Sequence, residues 1–186
     1  MAKQTWKPGN MLNPVPAVMV TVADKKGNAN IITVAWAGTV CTNPPMVSIS
    51  VRPERYSYSM IEETGEFVIN LVTDELVKAC DYCGVVSGRE VNKWEKMQLT
   101  PFAVANCIVP AISESPVNIA CKVVEKKELG SHTMFLAEVV SVTVEDTHMN
   151  ETGKFLINEL GLVMYSHGEY FSMGEKLGKF GYSVKK

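Results

Sequence analysis

The chain has 186 residues, 46% hydrophobic and 20% charged, an ordinary globular balance that fits a single domain over residues 1–186 with no need of metal or disulfide support. Its net charge of −2 argues against the basic surface that nucleic-acid binding needs. No apolar run reaches the length of a membrane span, and Met1–Asn10 lacks the apolar segment of a signal peptide, so the expectation is a cytoplasmic protein off the membrane.

Val15 to Val22 is β-rich and alternates enough to form a strand. Asp24–Asn28 reads as a turn, with Gly27 free to take positive φ, and a second strand from Asn30 to Trp36 returns antiparallel. On it Ile31, Thr33 and Ala35 share one face, and Ile32, Val34 and Trp36 the other. A loop from Gly38 to Pro45 follows, and then Val47–Val51 alternates strictly. The loop is built from small and hydroxyl residues, which leaves its backbone N–H groups accessible. It suits a flat ligand with polar edges, such as a flavin ring, although an ordinary strand–loop–strand accounts for the same spacing.

Tyr56–Thr64 reads as a short helix closed by Gly65, and Glu66–Leu71 as a strand. Thr73 or Asp74 is expected to cap a helix that runs through Cys83 and is closed by Gly84. Ser87-Gly-Arg-Glu90 has capping-box spacing and predicts a third helix from Gly88 to Met97. Leu99–Pro116 holds three prolines and no clean period, so it is expected to be irregular. Val117–Glu125 and Thr133–Glu145 predict a long hairpin with the loop Lys126–His132. In its second strand Val140, Val142 and Val144 alternate with Ser141, Thr143 and Glu145, predicting one buried and one wet face. The C-terminal segment carries Tyr165, Tyr170, Phe171 and Phe180, spaced by glycines. Strands in hairpin order with helices inserted between them point to a mainly β fold, a closed antiparallel barrel, and not to a doubly wound parallel sheet.

An odd count of five cysteines favours reduced thiols over a disulfide framework. Cys80-Asp-Tyr-Cys83 has tempting spacing, but the residues before it already read as helix. Both thiols then fall at the C-terminal end, where thiolate is disfavoured. No second pair completes a zinc site, and His148 and His167 lack partners at ligand spacing, so no metal is expected. The chain has no Gly-x-Gly-x-x-Gly after a strand, no Walker-type loop and no evident Ser-His-Asp set. A pyridine nucleotide would therefore have to stack directly on a flavin.

Taken in order, Pro14–Val22 with Gly27, Asn30–Cys41, Asn43-Pro-Pro45, Gly65–Leu71, Ser87–Trp94 and Leu129–His132 resemble the flavin-reductase-like FMN-binding split barrels, and among them the flavoredoxins. The resemblance spans Asn13 to Gly181 and implies an antiparallel split β-barrel with helical insertions, FMN as cofactor, and a homodimer with FMN at the subunit interface. It places Asn30, Trp36, Thr39 and Cys41 around the isoalloxazine, with His132 and Tyr165 near the same ring from either subunit. Lys93 falls where the family has a phosphate-binding lysine, and Arg55 and Ser57 where it has a phosphate-facing loop, with Arg52 a further candidate there.

The chemistry of these residue types agrees with the implied roles. The FMN phosphate carries about two negative charges and wants cations and hydroxyl donors. Each residue also has a plainer reading. Arg52, Arg55, Ser57 and Lys93 could be solvated surface groups, Trp36 and Tyr165 core aromatics, Asn30 a turn residue and Thr39 a loop cap. His132, on a glycine-containing hairpin loop, titrates near neutral pH and is the candidate catalytic group, able to tune a flavin edge. The functional expectation is electron transfer through FMN. The donor is left open between NAD(P)H, as in a flavin or ferric reductase, and a redox partner protein; a non-catalytic flavin-binding module is the alternative.

Overall fold

The structure, a computed structural model, describes residues 1–184. The first hairpin forms as expected, from shorter pieces. The opening strand is split at Ala17 into β1 (Val15–Pro16) and β2 (Val18–Ala23), and β2 pairs antiparallel with β3 (Ala29–Val34). Gly27, at φ 87°, makes the turn between them. β3 stops at Val34, so Ala35 and Trp36 form a bend and not the end of a strand. The expected loop then proves to contain a strand. β4 (Ala37–Cys41) pairs with β5 (Met46–Val51), with a register shift between Thr39 and Cys41. Small residues were read as loop-forming, but backbone pairing needs no large side chain, and the turn is confined to Thr42–Pro45.

α1 (Tyr56–Thr64) ends as expected at Gly65, which takes the left-handed conformation and returns its N–H to Ile61 O at 2.8 Å. β6 (Glu66–Leu71) follows. α2 (Val77–Val85) opens through a 3₁₀ turn at Asp74–Leu76, with no cap bond from the Thr73 side chain. Gly84 lies inside this helix and does not close it. Its role is close approach, because a Cβ there would sit 3.1 Å from Thr33 Cβ on β3. The expected third helix shrinks to α3 (Lys93–Lys96). Ser87 Oγ accepts from Arg89 N at 3.2 Å and makes a turn, while Asn92 Oδ1 caps the helix by accepting from Trp94 N at 3.1 Å.

The segment expected to be irregular contains two short paired strands, β7 (Pro101–Phe102) and β8 (Ala111–Ile112). The long hairpin is β9 (Val117–Glu128) and β10 (Thr133–Val144), three residues longer in its first strand than expected. The buried face of β10 is Thr133, Phe135 and Ala137. The Val140–Val144 face is not buried, Val142 being 55% exposed, since a register shift at Val139–Ser141 re-aims the strand. β11 (Val163–Ser166) and β12 (Glu169–Ser172) complete the fold and form a small sheet with β1.

The main sheet runs β3-β2-β6-β9-β10-β5-β4. Its two edge strands, β3 and β4, are consecutive in the chain and joined only by the Ala35–Trp36 bend. A sheet whose opposite edges are so tethered must roll nearly closed, and β3 accordingly lies against β5. The result is an antiparallel barrel split beside Trp36. Val18, Val20 and Val22 point inward to Ile49, Phe67, Phe135 and the α1 residues Met60 and Ile61. Met19 and Ile31 point outward to a second core with Ala79, Cys80 and Cys83 of α2, Trp94 and Leu99. No helix among the described residues is long and apolar enough to cross a membrane.

Candidate functional site

β3 has only one strand partner, so half of its backbone groups face away from the sheet. Two of these are already engaged. Ala29 O accepts from Trp94 Nε1 at 3.3 Å, and Ile31 O from Lys93 Nζ at 2.7 Å. By the two-residue strand period, Thr33 presents its N–H and C=O on the same side. Thr33 lies at the mouth of the split, in the wall of a cleft of about 150 Å³ that also carries Trp36, Arg52, Arg55 and His132. The sequence expectation that accessible backbone groups mark the site is met, but at the end of β3 and not in the Gly38–Pro45 segment.

A second cavity, of about 360 Å³, adjoins this cleft through Ile32 and Arg55. It gathers Asn30, Arg55, Ser57 and Lys93, four of the residues expected at a phosphate or ring. Lys93 is the least ordinary. It is only 3% exposed, donates to Ile31 O and to Cys83 O at 2.8 Å, and forms no ion pair among the described residues. Burial lowers its pKa from the usual lysine value, partly offset by the neighbouring Cys83, with a further lowering from Arg55. A third N–H of the ammonium is left for another acceptor. Ser57 Oγ accepts from Asn30 Nδ2 at 2.8 Å, so its hydroxyl proton remains available to donate. Ser57 also sits in the first turn of α1, which has no acidic residue and whose N-cap, Arg55, makes no side-chain cap bond. Cations, a hydroxyl donor and an uncapped helix N-terminus converge here, and that donor set fits a phosphate monoester.

The sequence reading missed the other wall of this cavity. Ser87, Gly88 and Arg89 line it, where a helix was expected. Arg89 donates from Nη1 to Glu54 O at 3.2 Å and stacks over the Tyr56 ring at 5.3 Å. The Gly-Arg pair after Ser87 was the available signal, masked by the capping-box match.

His132 ends the tight β9–β10 turn, its carbonyl accepting from Leu129 N at 2.8 Å. Its ring Nδ1 is 2.9 Å from Ser131 Oγ. Burial and then the Arg52 guanidinium lower its pKa, with Glu54 opposing, so the neutral ring is favoured at pH 7. Arg52 itself pairs with Glu54 at 3.5 Å. Trp36, 38% exposed, is not a core residue. It also walls a third cavity, of about 370 Å³, with Tyr165 and Tyr170. Tyr165 and Tyr170 meet edge to face at 5.5 Å, and Tyr170 donates to Asp81 at 3.2 Å. Thr39 and Cys41 line none of these cavities; they lie on β4, an edge strand, with Thr39 exposed.

Cys80 and Cys83 sit on the buried face of α2, and burial pushes their thiols up to about 12 and about 11. Both are therefore thiols at neutral pH and poor nucleophiles.

A model of the flavin reductase like domain matches residues 11–174. The chain belongs to this family. Among solved structures it is similar to the flavoredoxin of Desulfovibrio vulgaris (Miyazaki F), at 30% identity and a TM-score of 0.91 over 99% of this chain and 100% of that one. A flavoredoxin from Methanosarcina acetivorans is 28% identical with a TM-score of 0.88, over 99% and 100%. An uncharacterized protein of Archaeoglobus fulgidus is 35% identical over 143 residues, 77% of this chain and 80% of that protein. The flavin reductase like family is thus carried here on a split barrel whose opening and cationic cavity lie side by side.

Proposed function

We propose that this protein is an FMN-binding electron-transfer flavoprotein of the flavin reductase like family, acting as a homodimer. The observation that carries this reading is the continuous run from the Lys93–Arg55–Ser57 cavity, along the open side of β3, to the cleft at Trp36 and His132. Lys93 and Arg55 would neutralise the phosphate, and Ser57 and the α1 N-terminus would donate hydrogen bonds to its oxygens. Asn30 holds Ser57 in place. The Thr33 backbone would pair with a polar edge of the ring, and Trp36 would cover its face. Bound FMN supplies hydride and single-electron chemistry. His132 would hold or release a proton at the ring edge, and Arg52 keeps that imidazole neutral until negative charge develops nearby.

Thr39 and Cys41 stand on the exposed edge strand and would reach a ring across the subunit interface, as would Tyr165. The unpaired β4 edge carries Val40, 51% exposed, beside Trp36, which supports a partner at this place. The likeness to two flavoredoxins along the whole chain favours a carrier that trades electrons with a partner protein over a nicotinamide-driven reductase. Anaerobic addition of donors to the FMN-loaded protein tests this. Bleaching of the flavin band by a reduced ferredoxin-type protein, with slow or no bleaching by NADH and NADPH, is the expected result. Fast bleaching by a nicotinamide alone would reassign the protein as a reductase. A protein bleached by no donor, dithionite excepted, would be a non-catalytic flavin-binding module.

A further inference from the structure

The cavity that would take the FMN phosphate is not closed at its far end. Asn30, Tyr56, Gly88, Arg89 and Lys93 line it and also line a larger groove of about 940 Å³ on the other side. We infer that this site accepts flavin adenine dinucleotide as well as FMN, with the second phosphate beside Arg89 and the adenosine in that groove. The inference rests on the FMN reading above and extends it to a subsite beyond the phosphate.

Charge along the groove supports this occupant. Its mouth carries both cations, Arg89 and Lys93. Beyond the mouth the charged side chains are Glu90 and Glu95, and no lysine or arginine follows. An extension bearing further phosphates would be repelled there, whereas a neutral nucleoside is not. A carboxylate suits the diol of a ribose, which donates two hydrogen bonds. Asn28 and Gln98 add amide groups to the wall, and amides match the donor and acceptor edges of a purine. Arg89 is also well placed to sit between two phosphates. Its Nη1 holds Glu54 O, its plane lies over Tyr56, and it lines both cavities.

The test is a competition on the purified holoprotein. It is dialysed against equal concentrations of FMN and FAD, and the bound flavins are released by heat and quantified. The expected result is FAD as a substantial fraction of the bound flavin, at least one part in ten. Gln98→Trp, at an exposed position on the groove wall, should cut that fraction at least fivefold while total bound flavin is maintained by FMN. Glu90→Gln, a milder change, should cut it in the same direction and guards against a misfolded first variant. Binding of FMN with no FAD would overturn the inference and leave the FMN reading intact. FAD bound equally by wild type and both variants would place the adenosine in solvent and also overturn it. A protein that binds neither flavin would overturn the FMN reading itself.

Discussion

Lys93 is the residue in which structure and proposed function are hardest to separate. Its ammonium bridges the carbonyls of Ile31 and Cys83, so it ties β3 to α2 whether or not a ligand is present. Removing it would strand two carbonyls, at about 1–3 kcal/mol each where they are buried, and would confuse stability with binding. Arg55 is the cleaner probe, being exposed and in no ion pair among the described residues. Arg55→Ala should weaken FMN about tenfold and riboflavin hardly at all, as measured by calorimetry, because only FMN offers the phosphate. Equal losses for both ligands would remove Arg55 from the phosphate site. Lys93 predicts a pH dependence with a definite sign. Burial lowers its pKa in the free protein below 10.5, and a bound phosphate would raise it again. Between those two values the complex holds a proton that the free protein has lost, so FMN affinity falls as pH rises into that alkaline window. The unfolded chain also holds that proton, so the stability of the free protein rises with pH over the same window. Lys93→Arg, which stays charged, should show a smaller fall in affinity than wild type. Identical profiles for the two proteins would mean that Lys93 does not face the phosphate.

At the scale of elements, the loop before α3 matters more than its length suggests. A Cβ on Gly88 would lie 2.2 Å from Asn30 Oδ1, and Asn30 is 4% exposed and held by Ser57. Gly88→Ala should therefore displace Asn30, release Ser57 and weaken FMN more than tenfold, as measured by equilibrium titration. Unchanged affinity would show that the loop yields without cost to the site. This loop also marks the limit of what the sequence discloses. Patterns with a local cause were legible: the first hairpin with its Gly27 turn, α1 closed by Gly65, the β6 strand, and the long hairpin. Patterns with a long-range cause were not. Gly84 resembles a helix terminator, yet its lack of a side chain serves contact with Thr33, 51 residues earlier in the chain. Ser87–Glu90 matches a capping box, yet Asn92 caps the helix. The β4 residues look like a loop until β5 pairs with them. Among site residues, the grouping of Asn30, Arg55, Ser57 and Lys93 was legible through resemblance. The Thr33 backbone and Arg89 were not, since the first depends on which edge of the sheet stays open and the second on a fold-back onto Tyr56.

For the whole molecule, the barrel's split determines where function can lie. The edges of the sheet meet at Trp36, and the proposed ring site, the exposed β4 edge and the third cavity with Tyr165 surround that one bend. A ligand at a shared interface binds the assembled state better than separate chains, so FMN should shift a monomer–dimer equilibrium toward the dimer in sedimentation experiments. A monomer fully loaded with FMN would contradict that assembly. The central claim, that the cationic cavity and the split together form an FMN site, is tested most directly by the flavin content of the purified protein after incubation with FMN and removal of excess. The account predicts a yellow protein with one non-covalent FMN per chain, released by heat and identified by mass spectrometry. A protein that remains colourless would contradict it.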